Sequence, residues 1–346
     1  MLAFPLIVLA VWAYQRGYTD PGLALLEHRA RLVKAGGANL AGLRYGYPPL
    51  PILLLVLLPA GTPLPSIVTC LCASVLLGYV SKRLLRRTSA ITVIALVLPF
   101  VAVPMMWLAA SEYFAPLAAM AFLAIALDGF VRFAAHGETD GGFTAGIALA
   151  LSLCCDPGAL LYGLVMCAMA PLISHVRYRG AHSTGAIAAV LFFPIAAVAA
   201  GWLFVVWKFS GAFPGSLDYA AGARLLSFPS GVSAALARAF KSVGTDILHV
   251  PLYFAAAALQ CYRRPAVVLG LALPVATLTA ALWLGFAYSQ VNAYLLLTIL
   301  ALVMISESAS RRFEPALVLV AFCQVALAFF WPLTSANYSH WFQIVS

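Results

Sequence analysis

The run Tyr47-Pro48-Pro49-Leu50-Pro51-Ile52-Leu53-Leu54-Leu55-Val56-Leu57-Leu58-Pro59 separates two topologies for this chain. A helix needs about 20 apolar residues to cross a bilayer, and fewer lie between these prolines. Proline has no amide hydrogen to donate and clashes with the preceding turn. Pro48, Pro49 and Pro51 open the run, and Pro59, Pro63 and Pro65 close or follow it. The stretch over 47–61 therefore reads as an element that dips into the membrane and returns. If it crossed, the spans would number twelve and the sides of the first half would invert.

On either side of this run the chain is too apolar for a water-soluble globule: 64% of its 346 residues are hydrophobic and 9% are charged. Apolar runs at 2–14, 65–81, 89–110, 113–133, 142–154, 157–174, 184–207, 246–260, 266–287, 291–306 and 314–332 predict an all-α polytopic membrane protein of about eleven spans. A single transmembrane domain is expected over 1–346. It carries a long outer loop at 15–64 with an amphipathic stretch ahead of the dipping element, and a second at 209–245 with an amphipathic helix over 231–244. The first run has no basic leader and is followed by Gln15-Arg16-Gly17-Tyr18, not by a small-residue cleavage site, so it reads as a retained span.

Charge orients the spans. Eleven of the 20 Lys and Arg residues fall in short clusters (Lys82-Arg83, Arg86-Arg87, Arg132, Arg177 with Arg179, Arg263-Arg264, Arg311-Arg312) that the topology places on one side. Short basic loops face the cytoplasm. The net charge of +9 is thus mainly topogenic and not a nucleic-acid footprint. No P-loop, dinucleotide fingerprint, His-x-x-x-His pair or Gly-x-Ser-x-Gly elbow is present. The seven cysteines lie mostly in apolar runs without zinc or disulfide spacing.

The same topology sorts the 11 acids. Asp20, Glu27, Glu112, Asp156, Asp218 and Asp246 fall on the outer side, and Asp128, Glu138, Asp140, Glu307 and Glu314 on the inner. Ionisable groups at membrane depth are costly and default to functional candidates. Asp20 stands just after the first span at the head of Pro21-Gly22-Leu23-Ala24-Leu25-Leu26-Glu27-His28, and Glu27 and His28 follow about two helical turns on. An i,i+4 pair of Glu27 with Arg31 explains Glu27 equally well. Asp156 before Pro157 also reads as a helix cap. His249 stands at the outer mouth of its span. Tyr288-Ser289-Gln290-Val291-Asn292 forms a polar turn suited to sugar hydroxyls. Cations for a phosphate are Arg31, Lys34 and Arg44, or Arg224, Arg238 and Lys241.

Leu43-Arg44-Tyr45-Gly46-Tyr47-Pro48-Pro49-Leu50, preceded by a single span, an early acid and the pair Gly36-Gly37, resembles the GT-C superfamily of integral-membrane glycosyltransferases. Its nearest likeness is to polyprenol-phosphate-mannose-dependent mannosyltransferases of actinobacterial type. Ser111-Glu112-Tyr113 falls where that superfamily often places a second acidic motif, and Gly146 to Leu153 followed by Asp156-Pro157 resembles its paired short helices. The resemblance implies an inverting transfer of mannose or a pentose from a polyprenyl-phosphate donor to a lipid or glycan acceptor, at the outer face of a bacterial plasma membrane. Asp20 is the candidate base, and Glu27, His28, Arg31, Tyr45, Tyr47, Glu112, Asp156, His249, Tyr288 and Gln290 are candidate substrate contacts. A divalent cation is the one cofactor it allows. Membrane lipids are the expected surroundings, and nucleic acid is not a partner.

Two other classes stand beside this reading. A transporter or lipid flippase would share the composition and the helix break at Cys154-Cys155-Asp156-Pro157, although no internal repeat links the halves. A non-catalytic scaffold of the same fold is the third, because Glu112 stands alone where an acidic pair is common.

Overall fold

The computed structural model describes residues 3–36, 46–59, 61–178, 184–211, 232–263, 268–283, 290–330 and 336–345. All regular structure among them is helical: α1 (Ala3–Gln15), α2 (Pro21–Ala35), α3 (Pro49–Leu57), α4 (Leu64–Leu85), α5 (Ala90–Ala102), α6 (Pro104–Glu112), α7 (Phe114–His136), α8 (Thr139–Cys155), α9 (Ala159–Tyr178), α10 (Thr184–Ser210), α11 (Val232–Leu248), α12 (Pro251–Arg263), α13 (Val268–Trp283), α14 (Gln290–Ser308), α15 (Glu314–Phe330) and α16 (Ala336–Val345). A 3₁₀ turn over Arg311–Phe313 precedes α15.

Five stretches are long and apolar enough to cross a membrane: Leu64–Leu85, Phe114–Phe133, Gly185–Phe209, Gln290–Ser308 and Arg311–Phe330. The number rises to seven if each of two bent pairs counts as one span. The expected straight span at 89–110 is one such pair, bent by 76° between α5 and α6. The expected span at 246–260 lies in the other, with a 91° bend between Leu236–Leu248 and Pro251–Tyr262. Proline causes the first break. Pro104 cannot donate to the preceding turn and forces Val103 out of helical geometry (φ −90°, ψ 115°). Pro251 begins α12 in the same way.

Four further expected spans appear as shorter apolar helices, Ala3–Gln15, Thr139–Cys155, Ala159–Leu172 and Pro274–Trp283. The 13 residues of α1 rise only about 20 Å, less than the hydrocarbon thickness. The proline-rich run forms the nine-residue α3, too short to cross, and packs against α2 and α8. The amphipathic stretch ahead of it is α2, and the helix expected over 231–244 is α11.

α14 is the axis of the bundle. Its side chains from Tyr294 to Ile305 are all buried, as expected of a helix apolar all round. α10 and α15 lie at the periphery, with Phe193, Phe204, Leu319 and Phe330 exposed. α7 and α8 touch backbone to backbone: a Cβ on Gly129 would stand 2.6 Å from the Gly141 carbonyl oxygen and 2.8 Å from the Ala145 amide nitrogen.

The described acids gather at two ends. Where α4 and α14 finish, Arg83 pairs with Asp128 and Glu307. Arg132 reaches Asp128, Glu138 and Asp140 at 3.7, 3.6 and 3.1 Å. At the same end Glu314 accepts from the Ser89 amide at 3.1 Å and the Thr92 hydroxyl at 2.9 Å. Asp20, Glu27, Glu112 and Asp156 occupy the other end, where α2, α4, α7 and α9 begin.

Candidate functional site

α1 ends in a turn that places Asp20. Gly17 adopts the left-handed conformation (φ +81°). The amides of Gly17 and Tyr18 close onto the carbonyls of Tyr14 and Ala13 at 2.9 and 3.0 Å, the Schellman pattern that a left-handed glycine permits. This turn drives the Tyr18 ring into the core, where it is 3% exposed. Two residues later Asp20 caps α2 with extended backbone, and Pro21 supplies the first helical position. Asp20 Oδ2 accepts from the amides of Gly22 and Leu23 at 2.7 and 3.3 Å.

Glu112 arrives from a distant part of the sequence. The break at Pro104 turns α6 across the end of the bundle, and Glu112 is its last residue, 2% exposed. It stands at the one-residue junction, Tyr113, between α6 and α7, and it is buried. Its carboxylate lies within hydrogen-bonding reach of the Asp20 amide and the Ser66 hydroxyl, and feels the charges of Asp20 and Glu27. Tyr18 Oη, Asp20 Oδ1 and Glu112 Oε2 have no hydrogen-bond partner among the described residues, though all are buried. Buried polar atoms are paired in the great majority of cases, and each unpaired one costs about 1–3 kcal/mol. Three such atoms in one place make this end the candidate binding site. Burial raises the Asp20 carboxyl above the ordinary carboxylate range, and the two capping amides offset part of that rise.

A groove opens further along α2, with Glu27 at the end nearest this cluster. Glu27, Arg31 and Lys34 of α2 face Leu55, Val56 and Pro59 at the end of α3, with Pro65 of α4 at the side. Partial burial raises the Glu27 carboxyl and Arg31 pulls it back down. Arg31 and Lys34 are exposed, so the groove presents two cations and one carboxylate over an apolar wall.

The remaining expected residues separate from this cluster. His28 does not share the buried face with Asp20: eight helical residues carry it about 80° around, and it is exposed. Tyr47 donates its hydroxyl to the Leu153 carbonyl at 2.9 Å and packs on Trp202, ring centroids 6.3 Å apart. Arg29 donates to the Tyr47 carbonyl at 3.0 Å. The Tyr-Pro-Pro-Leu signature thus ties α3 to α8 and α10. Tyr47→Phe is expected to lower stability by about 1 kcal/mol, read from thermal unfolding in detergent, without abolishing any activity of the Asp20 site.

Asp156 ends α8 and accepts from the Gly158 amide at 2.6 Å, so the capping role accounts for it. Burial raises its carboxyl. His249 belongs to the corner between α11 and α12, with Nδ1 2.8 Å from the Thr245 carbonyl. Gln290 is half-buried at the start of α14. Tyr45 and Tyr288 lie outside the described residues, as do Arg44, Asp218 and Arg224.

Sequence reasoning missed Tyr18, Ser66 and the whole of α16. α16 packs on α1 and α6: Trp341 is fully buried, the His340 ring lies 5.9 Å from that of Tyr18, and Arg16 donates to the Ile344 carbonyl at 2.9 Å. Tyr18 stands two residues from Asp20, so their proximity is written in the chain itself. Ser66 and α16 carry no signal, because only folding brings them to Asp20.

The seven cysteines are free. Among the described residues no three His, Cys, Asp or Glu side chains are arranged to hold a metal ion. Asp20 and Glu112 are the carboxylates that the divalent cation allowed by the resemblance would find at this site, and two suit a magnesium ion whose remaining ligands are substrate phosphate and water. Compared with protein-family models, with curated proteins and with solved structures, the chain matches none.

Proposed function

We propose that the chain is an integral-membrane glycosyltransferase of GT-C type, with about eleven membrane-embedded helices and its site at the outer face. The observation that carries this reading is the buried pair of Asp20 and Glu112, each with an unpartnered oxygen, with a groove bearing Arg31 and Lys34 further along α2. A sugar on a lipid phosphate already has a good leaving group, so two services suffice. Asp20 takes the proton from an acceptor hydroxyl as its oxygen bonds to the anomeric carbon. The bond from that carbon to the phosphate oxygen breaks on the opposite side, with inversion. The polyprenyl phosphate leaves with the bonding electrons, its charge met by Arg31 and Lys34. Glu112 and Tyr18 offer hydrogen bonds to sugar or acceptor hydroxyls.

The Pro-broken helices support a second reading, a transporter or lipid flippase, because discontinuous helices with buried carboxylates at the break also build substrate sites. Transfer of radiolabelled sugar from a panel of polyprenyl-phosphate sugars to a membrane lipid extract separates the two. Wild type is expected to transfer from at least one donor. Replacing Arg31 and Lys34 together by Ala is expected to weaken donor use by about tenfold or more, as loss of charge-assisted phosphate contacts implies. No transfer from any donor overturns the glycosyltransferase reading in favour of transport.

A further inference from the structure

A second groove lies at the opposite end of the molecule from Asp20. α12 and α15 run antiparallel, since the Leu252 amide meets Gln324 Oε1 at 3.3 Å while the rings of Tyr262 and Phe313 cross edge to face with centroids 5.8 Å apart. Ala255, Leu259 and Tyr262 recur at helical spacing on one face of α12 and meet Ala316 and Val320 of α15. Between them is an apolar groove of about 340 Å³ with Arg312 at its rim.

Three observations identify its occupant. Phe254, Leu319 and Phe322 beside it are exposed, which makes this flank a lipid-facing one, so the groove fills from the bilayer and not from water. Arg312 is exposed and forms no ion pair among the described residues. The acids close to it in sequence are committed elsewhere: Glu314 to Ser89 and Thr92, and Glu307 to Arg83. This end also carries exposed Lys82, Arg86, Arg87 and Arg311, and basic residues at a membrane surface attract anionic lipid. Tyr262, 71% exposed, is of the residue type that sits at headgroup level.

We propose that this groove binds one anionic diacyl phospholipid, with an acyl chain between Leu259 and Val320 and its phosphate accepting hydrogen bonds from Arg312. The site stands apart from the Asp20 chemistry and does not depend on it. The test is native mass spectrometry of the full chain released from mixed micelles containing phosphatidylglycerol, phosphatidylcholine and a polyprenyl phosphate.

Wild type is expected to retain one phosphatidylglycerol about tenfold in preference to phosphatidylcholine, because the choline cation offsets the charge of its own phosphate and is repelled by Arg312. Arg312→Lys should keep most of that preference and Arg312→Ala should remove it. Ala316→Trp should fill the groove and expel both phospholipids. The exposed positions of Arg312 and Ala316 favour intact folding, checked by unchanged elution volume. A preference that survives Arg312→Ala, or retention that survives Ala316→Trp, overturns the site. Polyprenyl phosphate displacing phosphatidylglycerol overturns its assignment to a diacyl lipid.

Discussion

Asp20→Asn is expected to lower sugar transfer by about 10²–10⁴-fold, the usual contribution of a positioned general base, with the fold intact. Asn is as good a helix cap as Asp, so the hydrogen bonds from Gly22 and Leu23 survive and α2 keeps its start. What is lost is the carboxylate. Burial raises the Asp20 carboxyl in the folded protein above its unfolded value of 3.8, so the acid limb of the rate should be displaced upward from that value.

The linkage has a definite sign. Between the unfolded and the folded pKa the native state holds the proton that the unfolded chain has released. The stability owed to this group is therefore greatest below pH 3.8, falls as pH rises through that window, and stays lower above it. Asn does not titrate. The variant should accordingly match or exceed wild type in thermal stability near neutral pH, and its relative advantage should vanish toward pH 3. Transfer by Asp20→Asn within twofold of wild type would remove Asp20 from the role of base.

Arg83→Ala is expected to be the most destabilising single change at the opposite end, by about 3–5 kcal/mol. Arg83 joins α4 to Asp128 of α7 and Glu307 of α14, and reaches Tyr79 Oη at 3.2 Å and Ser306 Oγ at 3.4 Å. The side chains of Asp128 and Glu307 are only 19% and 15% exposed, so removing the cation leaves Glu307 with little water and Asp128 with only the 3.7 Å contact to Arg132. Arg132→Ala is the control. Its nearest partner, Asp140, is 74% exposed and Glu138 is 47% exposed, while its contact with Asp128 is the longest of the three at 3.7 Å, and exposed pairs contribute about 0–1 kcal/mol. Denaturant unfolding in a fixed detergent reads both. Equal losses for the two variants would show that the Arg83 network carries no special share of stability.

Some of this was legible along the chain because its causes are local. Composition alone requires the apolar all-helical bundle. Asp20-Pro21 announces a helix start, since a capping side chain needs only the next two or three amides. The prolines around α3 exclude a straight span there. The acids divide between two ends, with Asp128, Glu138, Asp140, Glu307 and Glu314 beside the basic clusters, because that partition follows from the order of the helices. Other features were not legible at that range. Pro99 and Pro194 lie inside α5 and α10 without ending them, whereas Pro104 breaks the chain by 76°. Span counting by apolar runs could not foresee that difference, although the 13-residue first run already matched the length of α1.

The sequence by itself determined that this is an apolar helical membrane protein with a carboxylate capping the helix after its first apolar segment. Only the tertiary structure decided that Glu112, 92 positions from Asp20, is held against the Asp20 amide. It likewise decided that Tyr47 serves the packing of α3 on α8, and that α16 returns to cover Tyr18. The physical reason is range. Caps, turns and apolar length act within a few residues, whereas a buried polar cluster forms only when separate helices have paid the entropy of coming together.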